Sequence, residues 1–177
     1  NPARVKLICL LVTALCKIKT INYDRPASGF DVKADKSSSY RRIQRFMKEF
    51  DFPMRTVSGL IFNLLPSKDD LVLVLDRTNW KFGSKDINIL MLGVSYKNVA
   101  FPLMFKMLDK RGNSDTEERI DLIKKYIEWF GKQSINCLLA DREFVGGKWL
   151  EFLNNENIRY YIRIRNNFKI YSYQKQT

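Results

Sequence analysis

Two aspartates stand at the ends of apolar runs. Leu71-Val72-Leu73-Val74-Leu75 leads straight into Asp76, and Ile135-Asn136-Cys137-Leu138-Leu139-Ala140 into Asp141. Each run reads as a buried strand, and the five consecutive branched apolar residues of the first imply burial on both faces. If the two strands are parallel neighbours, both carboxylates emerge side by side at one edge of a sheet. Two anions so placed repel, and one is pushed toward protonation unless a cation lies between them. Magnesium or manganese suits such a site, because hard cations take carboxylate oxygens and water. A pair of these ions activates water and stabilises the leaving oxygen in phosphodiester chemistry. The alternative is that both acids merely cap strand ends. One strand-terminal aspartate is commonplace; two on strands expected to be adjacent weigh toward a metal site.

Composition narrows the chemistry further. Histidine is absent, which removes Ser-His-Asp and Cys-His catalysis and every histidine-ligated metal. Catalysis must rest on carboxylates, Lys, Tyr or Cys. The cysteines are Cys9, Cys16 and Cys137; an odd count without CxxC suits a reducing compartment. Cys9 and Cys16 lie seven apart on one helical face and are expected in a core. Hydrophobic residues at 45% and charged residues at 28% describe a globular chain rather than a disordered one. The net charge of +12 points to a polyanionic partner, nucleic acid before membrane; a merely soluble basic protein is the alternative. The excess is even along the chain: residues 1–70 carry 13 basic and 7 acidic residues, residues 71–177 carry 18 and 12. Leu7 to Cys16, behind Arg4 and Lys6, imitates a signal peptide, but Lys17, Ile18 and Lys19 follow where a cleavage site belongs. The run is also too short to span a bilayer, so a buried amphipathic helix is expected and no membrane contact. Asn1 in place of methionine is compatible with a piece of a longer product.

The elements that must position the acids follow from periodicity. A break near Pro66-Ser67-Lys68-Asp69-Asp70 separates a helical region, 1–66, from a mixed region, 67–177. The first region holds three expected helices: Arg4 to Ile21, Ser37-Ser38-Ser39 as an N-cap cluster to Phe50, and Met54 to Leu65. In the second helix Ile43, Phe46, Met47 and Phe50 make the apolar stripe, with Arg41, Arg42, Arg45 and Lys48 off it. After the first strand come Ile87–Ser95 and Val99–Met107, a hairpin turned by Tyr96-Lys97-Asn98. Pro102 cannot donate to a ladder, so the third strand belongs at the sheet edge. A helix follows, opened by a capping box at Ser114-Asp115-Thr116-Glu117, with Ile120, Ile123, Ile127 and Phe130 buried, and ended by Gly131. The Ile135–Asp141 strand, a helix over Gly147–Asn155 and an alternating strand Arg159–Arg165 complete the chain. The hairpin makes strands one to three antiparallel neighbours. The helical crossover returns strand four parallel to strand one, and the edge proline sends it to the far side of strand one. The order becomes 3-2-1-4-5, the ribonuclease H-like α/β arrangement, preceded by a small helical region.

Here the residues reach a resemblance. Asp76-Arg77-Thr78-Asn79-Trp80 and Ala140-Asp141-Arg142-Glu143-Phe144 resemble the first and second acidic motifs of the DDE transposases of bacterial insertion sequences, in the branch whose third motif reads Y-x-x-R-x-x-x-E-x-x-x-x-x-x-K. Ser39 to Phe46 and Tyr160 to Phe168 are also similar to such proteins. The resemblance covers about Lys6 to Phe168. It implies a ribonuclease H-like core, a two-metal site of Mg²⁺ or Mn²⁺ on Asp76 and Asp141, and cut-and-paste DNA movement in the bacterial cytoplasm, at the nucleoid. The third acid, a Glu on a helix after the fifth strand, has no counterpart. Tyr160 and Arg163 begin the right spacing, but Asn167 stands where Glu is required. Glu143 is expected to support the metal site from behind or to be structural; Glu151 and Glu156 look like exposed helix residues. The chain thus resembles the N-terminal part of a transposase, catalytically crippled by itself.

Double-stranded DNA is the expected partner, with pairing of two copies on it left open. Arg41, Arg42, Arg45 and Lys48 are candidates for phosphate or groove contacts, or a solvated helix face. Arg163, Arg165 and Lys169 are candidates to guide a backbone past the acids, or a face covered by missing chain. Trp80 is placed to stack on a base or to fill the core under the loop between the first two strands. Arg77 and Arg142 follow the two acids and are placed to orient them or to touch the scissile phosphate. The readings carried forward are a transposase fragment, a catalytically inactive truncated transposase acting as a DNA-binding regulator, and a metal-dependent nuclease of the resolvase kind.

Overall fold

The computed structural model describes residues 2–19 and 35–166. The chain forms two compact units, Asn1–Phe52 and Pro53–Thr177.

The first unit contains α1 (Pro2–Ile18) and α2 (Lys36–Glu49). Leu7, Leu11 and Ala14 of α1 pack with Ile43 of α2, flanked by Leu10, Ile18, Tyr40 and Phe46. Cys9 and Cys16 are exposed, against the expectation of a core position. The i, i+4, i+7 line of Leu7, Leu11 and Ala14 is the one α1 buries, and the cysteines fall beside it. Asp35, not the serine cluster, caps α2: its carboxylate accepts from Ser37 N and Ser37 Oγ. The buried line of α2 runs through Ser39 and Ile43, and Met47 is 49% exposed, so the expected stripe is rotated by part of a turn.

The second unit opens with α3 (Met54–Leu64). This helix joins the sheet unit, because the Ser58 hydroxyl donates to Leu103 O at 2.7 Å and Ile61 and Phe62 pack on the sheet's core. The compact units therefore divide at 52/53, one helix before the expected 66/67. The strands are β1 (Leu71–Phe82), β2 (Lys85–Tyr96), β3 (Val99–Met107), β4 (Ile135–Ala140) and β5 (Tyr160–Ile162). They form one sheet in the order β3-β2-β1-β4-β5, with β1–β2 and β2–β3 antiparallel and β1–β4 and β4–β5 parallel. This is the ribonuclease H-like arrangement. Pro102 sits on edge strand β3, beside an irregularity in the β2–β3 register at Leu92/Gly93. A Cβ at Gly93 would meet Phe101 O at 2.8 Å, so glycine admits the close approach. Lys97 and Asn98 both have positive φ, the backbone of a tight hairpin whose twist matches its strands.

The remaining helices are α4 (Thr116–Phe130) and α5 (Gly147–Asn155). Leu73, Leu75, Leu90, Leu92, Leu138, Ile123, Tyr126, Trp149 and Leu153 gather in one core cluster. Leu71, Leu73 and Leu75 are buried, whereas Val72 and Val74 are half-buried, so β1 is sealed on one face rather than both. The capping box of α4 is Asp115 with Glu118, one residue later than expected. Its buried line is Arg119, Leu122, Ile123 and Tyr126; Ile120 and Ile127 lie at its margin. Gly131 ends the helix at φ 83°, as expected.

Candidate active site

Asp76 does not end its strand. β1 continues six residues further, to Phe82, paired with β2 as far as Phe82↔Lys85. What ends beside Asp76 is the parallel partner: the β1–β4 register runs to Leu75↔Ala140. Asp141 follows Ala140 directly, so both acids stand one residue past the last parallel pair. Beyond Asp76, Thr78 and Trp80 stand opposite Ile89 and Ile87 of β2, a period-two pattern that a hairpin sustains without β4.

Alternation also decides the face. Leu73 and Leu75 point into the core cluster, so Val74 and Asp76 point to the opposite face. Across the parallel register Val74 meets Leu139 and Leu139 meets Tyr161. A cavity of about 560 Å³ lies there, lined by Val74, Leu75, Asp76, Leu139, Ala140, Asp141, Tyr161, Ile162 and Arg163. The fold thus brings together Asp76, Asp141 and Arg163, three residues singled out from sequence. Asp76 Oδ1 accepts from Arg77 N at 2.8 Å. Arg163 Nη1 lies 3.9 Å from Asp141 Oδ1, with the side chains 78% and 52% exposed. So exposed and long a pair contributes little stability, and both groups stay accessible to a ligand. β5 stops at Ile162, short of the expected Arg165, because β4 ends at Ala140 and offers nothing further to pair with. Arg163 N still donates to Ala140 O at 3.1 Å.

Behind the acids lies a polar hub that sequence reasoning only half foresaw. Arg77 Nε and Nη2 donate to Glu143 Oε1 and Oε2 at 2.9 and 3.0 Å. Arg77 Nη1 reaches Asn88 Oδ1, and Nη2 also reaches Asn113 Oδ1, each at 3.2 Å. The pair is 11% and 22% exposed. The Arg77 side chain is thus engaged by Glu143, Asn88 and Asn113. Glu143 is turned toward Arg77. Asn88 Nδ2 in turn donates to Lys110 O and Gly112 O, both at 2.9 Å. Buried Arg119 donates through Nη2 to Glu143 O at 3.3 Å and through Nε to Ser114 Oγ at 2.9 Å. Its guanidinium lies 5.1 Å from the ring centre of buried Phe144. Burial lowers the Arg119 pKa, and the charges of Glu143, Asp115 and Glu118 oppose that shift. The missed members are Asn88, Asn113 and Arg119. The available signal was Arg119 heading the i, i+3, i+4, i+7 line with Leu122, Ile123 and Tyr126.

The remaining candidates are placed as follows. Arg142 and Arg165 are exposed, and Trp80 is 48% exposed, outside the core. Arg41, Arg42, Arg45 and Lys48 are exposed on α2 in the first unit, with Arg42 Nη2 3.4 Å from Ala3 O. Lys169 lies outside the described residues. Among the described residues no three of His, Cys, Asp and Glu gather as a metal-holding group, and no helix is long and apolar enough to cross a membrane.

No protein-family model matches the chain, and no curated protein matches it. Solved structures offer distant similarities. One is a chain of the simian T-cell lymphotropic virus intasome in complex with PP2A regulatory subunit B56 gamma, at 10% identity over 75% of this chain and 45% of that one, TM-score 0.43. Another is the large terminase of a thermophilic bacteriophage, at 15% identity over 56% and 24%, TM-score 0.36. A third is the Mos1 strand transfer complex, at 8% identity over 89% and 56%, TM-score 0.36. The chain therefore spans less than two thirds of each of these proteins. The fold assignment stands on the strand pairing itself: a five-stranded ribonuclease H-like sheet with two carboxylates at the end of its parallel ladder.

Proposed function

We propose that this chain is the core portion of a DNA transposase that cleaves and joins DNA strands at insertion-sequence ends, acting on double-stranded DNA in the bacterial cytoplasm. The observation that carries the reading is the shared cavity of Asp76 and Asp141 at the end of the β1–β4 ladder. Two exposed carboxylates on neighbouring strands are a hard oxygen donor set, which fits Mg²⁺ or Mn²⁺ completed by water. Bound there, the metal supplies water activation and charge neutralisation at the scissile phosphate. The chain's own part is to hold both carboxylates on one face and to present Arg163 beside them as a phosphate contact. Arg142 and Arg165 are exposed and close in sequence to Asp141 and Arg163, and the +12 net charge supports a polyanionic substrate.

A second reading is a catalytically inactive DNA-binding regulator: among the described residues the acids lining this cavity are Asp76 and Asp141, where the resemblance calls for three. Manganese titration tests the first reading. Weak Mn²⁺ binding by the intact chain, lost in Asp76→Asn and in Asp141→Asn, is the expected result; unchanged titration in both variants overturns the metal site. Salt-sensitive DNA binding by a chain that takes up no Mn²⁺ at Asp76 and Asp141 selects the regulator.

A further inference from the structure

The strand that carries Asp76 runs on past its parallel partner, and the extension has a shape of its own. Pairing with β4 stops at Leu75↔Ala140, and the β2–β3 register stops at Ile89↔Met107. From Trp80↔Ile87 to Phe82↔Lys85 the ladder is two strands wide. Gly83, at φ 60°, turns the tip. Arg111 Nε pairs with Asp86 Oδ2 at 2.5 Å and braces this ribbon against the loop after β3.

The ribbon's chemistry is that of a DNA contact. Residues 78–87 contain Lys81, Lys85 and one acid, Asp86, which Arg111 already neutralises; both lysines are exposed. Asp76, Thr78 and Trp80 alternate along β1 and share one face, the face that holds the carboxylate cavity. Trp80 is 48% exposed, a large aromatic surface held on a paired strand rather than in a core. Four residues at about 3.3 Å each put it about 13 Å from Asp76, the length of about four base steps at 3.4 Å.

We propose that the β1–β2 ribbon is a DNA-gripping finger, with Trp80 stacking on an unpaired base a few nucleotides from the phosphate held at Asp76 and Asp141, and Lys81 and Lys85 following the backbone. The proposal rests on the reading of the carboxylate cavity as a DNA-cleaving site, and it names how that site holds its substrate.

The test is equilibrium binding of the 177-residue chain, without divalent metal, to a short fully paired duplex and to the same duplex with a frayed end. Trp80→Ala weakens frayed-end binding about 5- to 150-fold, the factor that corresponds to losing one stacked base. The loss is several-fold smaller on the fully paired duplex, and Trp80→Phe restores most of it. Lys81→Ala combined with Lys85→Ala lowers the log–log salt slope by about 1.8 on both DNAs. A Trp80→Ala effect equal on the two DNAs, or none, overturns the stacking role; an unchanged slope overturns the backbone role. A chain that binds neither DNA overturns the finger and the transposase reading together. A manganese titration that does not change in Asp76→Asn and Asp141→Asn, with the frayed-end preference intact, overturns the cleavage reading and leaves the finger.

Discussion

Removing the Glu143 carboxylate strands the Arg77 guanidinium, which is 11% exposed and engages both carboxylate oxygens. A charge left in that position costs more than an ordinary surface pair, because water reaches it poorly. Asn88 and Asn113 still solvate it in part. Glu143→Ala is therefore expected to cost about 2–3 kcal/mol, below the roughly 3–5 kcal/mol of a fully buried pair. Urea unfolding at neutral pH measures it; a loss under about 0.5 kcal/mol would put this contact among surface ion pairs. Arg77 adjoins Asp76, and Glu143 lies two residues beyond Asp141, so this pair ties the segments that carry the two acids. Sequence pointed to Arg77 and Glu143 one at a time. Their pairing is across 66 residues, a separation that no local pattern encodes.

At the scale of elements, α4 depends on a reciprocal cap. Asp115 accepts from Glu118 N at 2.9 Å, and Glu118 Oε2 accepts from Asp115 N at 2.8 Å. Lys110 Nζ adds ion pairs to both acids. The lysine and the Glu118 amide hold the Asp115 carboxyl below its ordinary range. A depressed carboxylate pKa contributes stability above the unfolded value, near 3.9, and the contribution is lost as pH falls through the folded value. Asp115→Ala is thus expected to cost about 1 kcal/mol at neutral pH. The gap between variant and wild type should narrow below about pH 4. Thermal unfolding across the acid range checks this, and a gap independent of pH would exclude the carboxylate's charge as its source. The box was readable in the sequence to within one residue. The helix's buried face was not, because hydropathy discounts Arg119, whose burial depends on acceptors at Ser114 and Glu143.

For the whole molecule the relevant quantity is charge. On the proposed DNA-binding reading, a net charge of +12 spread evenly along the chain is expected to give contacts from several elements rather than one basic tail. Each phosphate neutralised adds about 0.9 to the log–log salt slope, so a footprint of about six contacts gives a slope near −5 on duplex DNA. Binding measured across a salt series tests this, and a flat response would reject nucleic acid as the partner.

Apolar runs, proline and glycine carried much of the architecture by themselves. LVLVL before Asp76 marks a central strand, and Pro102 confines β3 to an edge. Together they set the order 3-2-1-4-5 that the strand pairing displays. These are local constraints, written in hydrophobicity and backbone donors, and they survive without knowledge of partners. Other features needed the third dimension. Where β1 ends depends on which neighbour continues beside it, so Asp76 became a mid-strand residue next to a terminated partner. Which face holds the acids, that Arg163 joins them, and that Arg77 turns inward to Glu143 all depend on register between distant segments. A strand's alternation tells which residues share a face, and only packing decides which face is closed by the core.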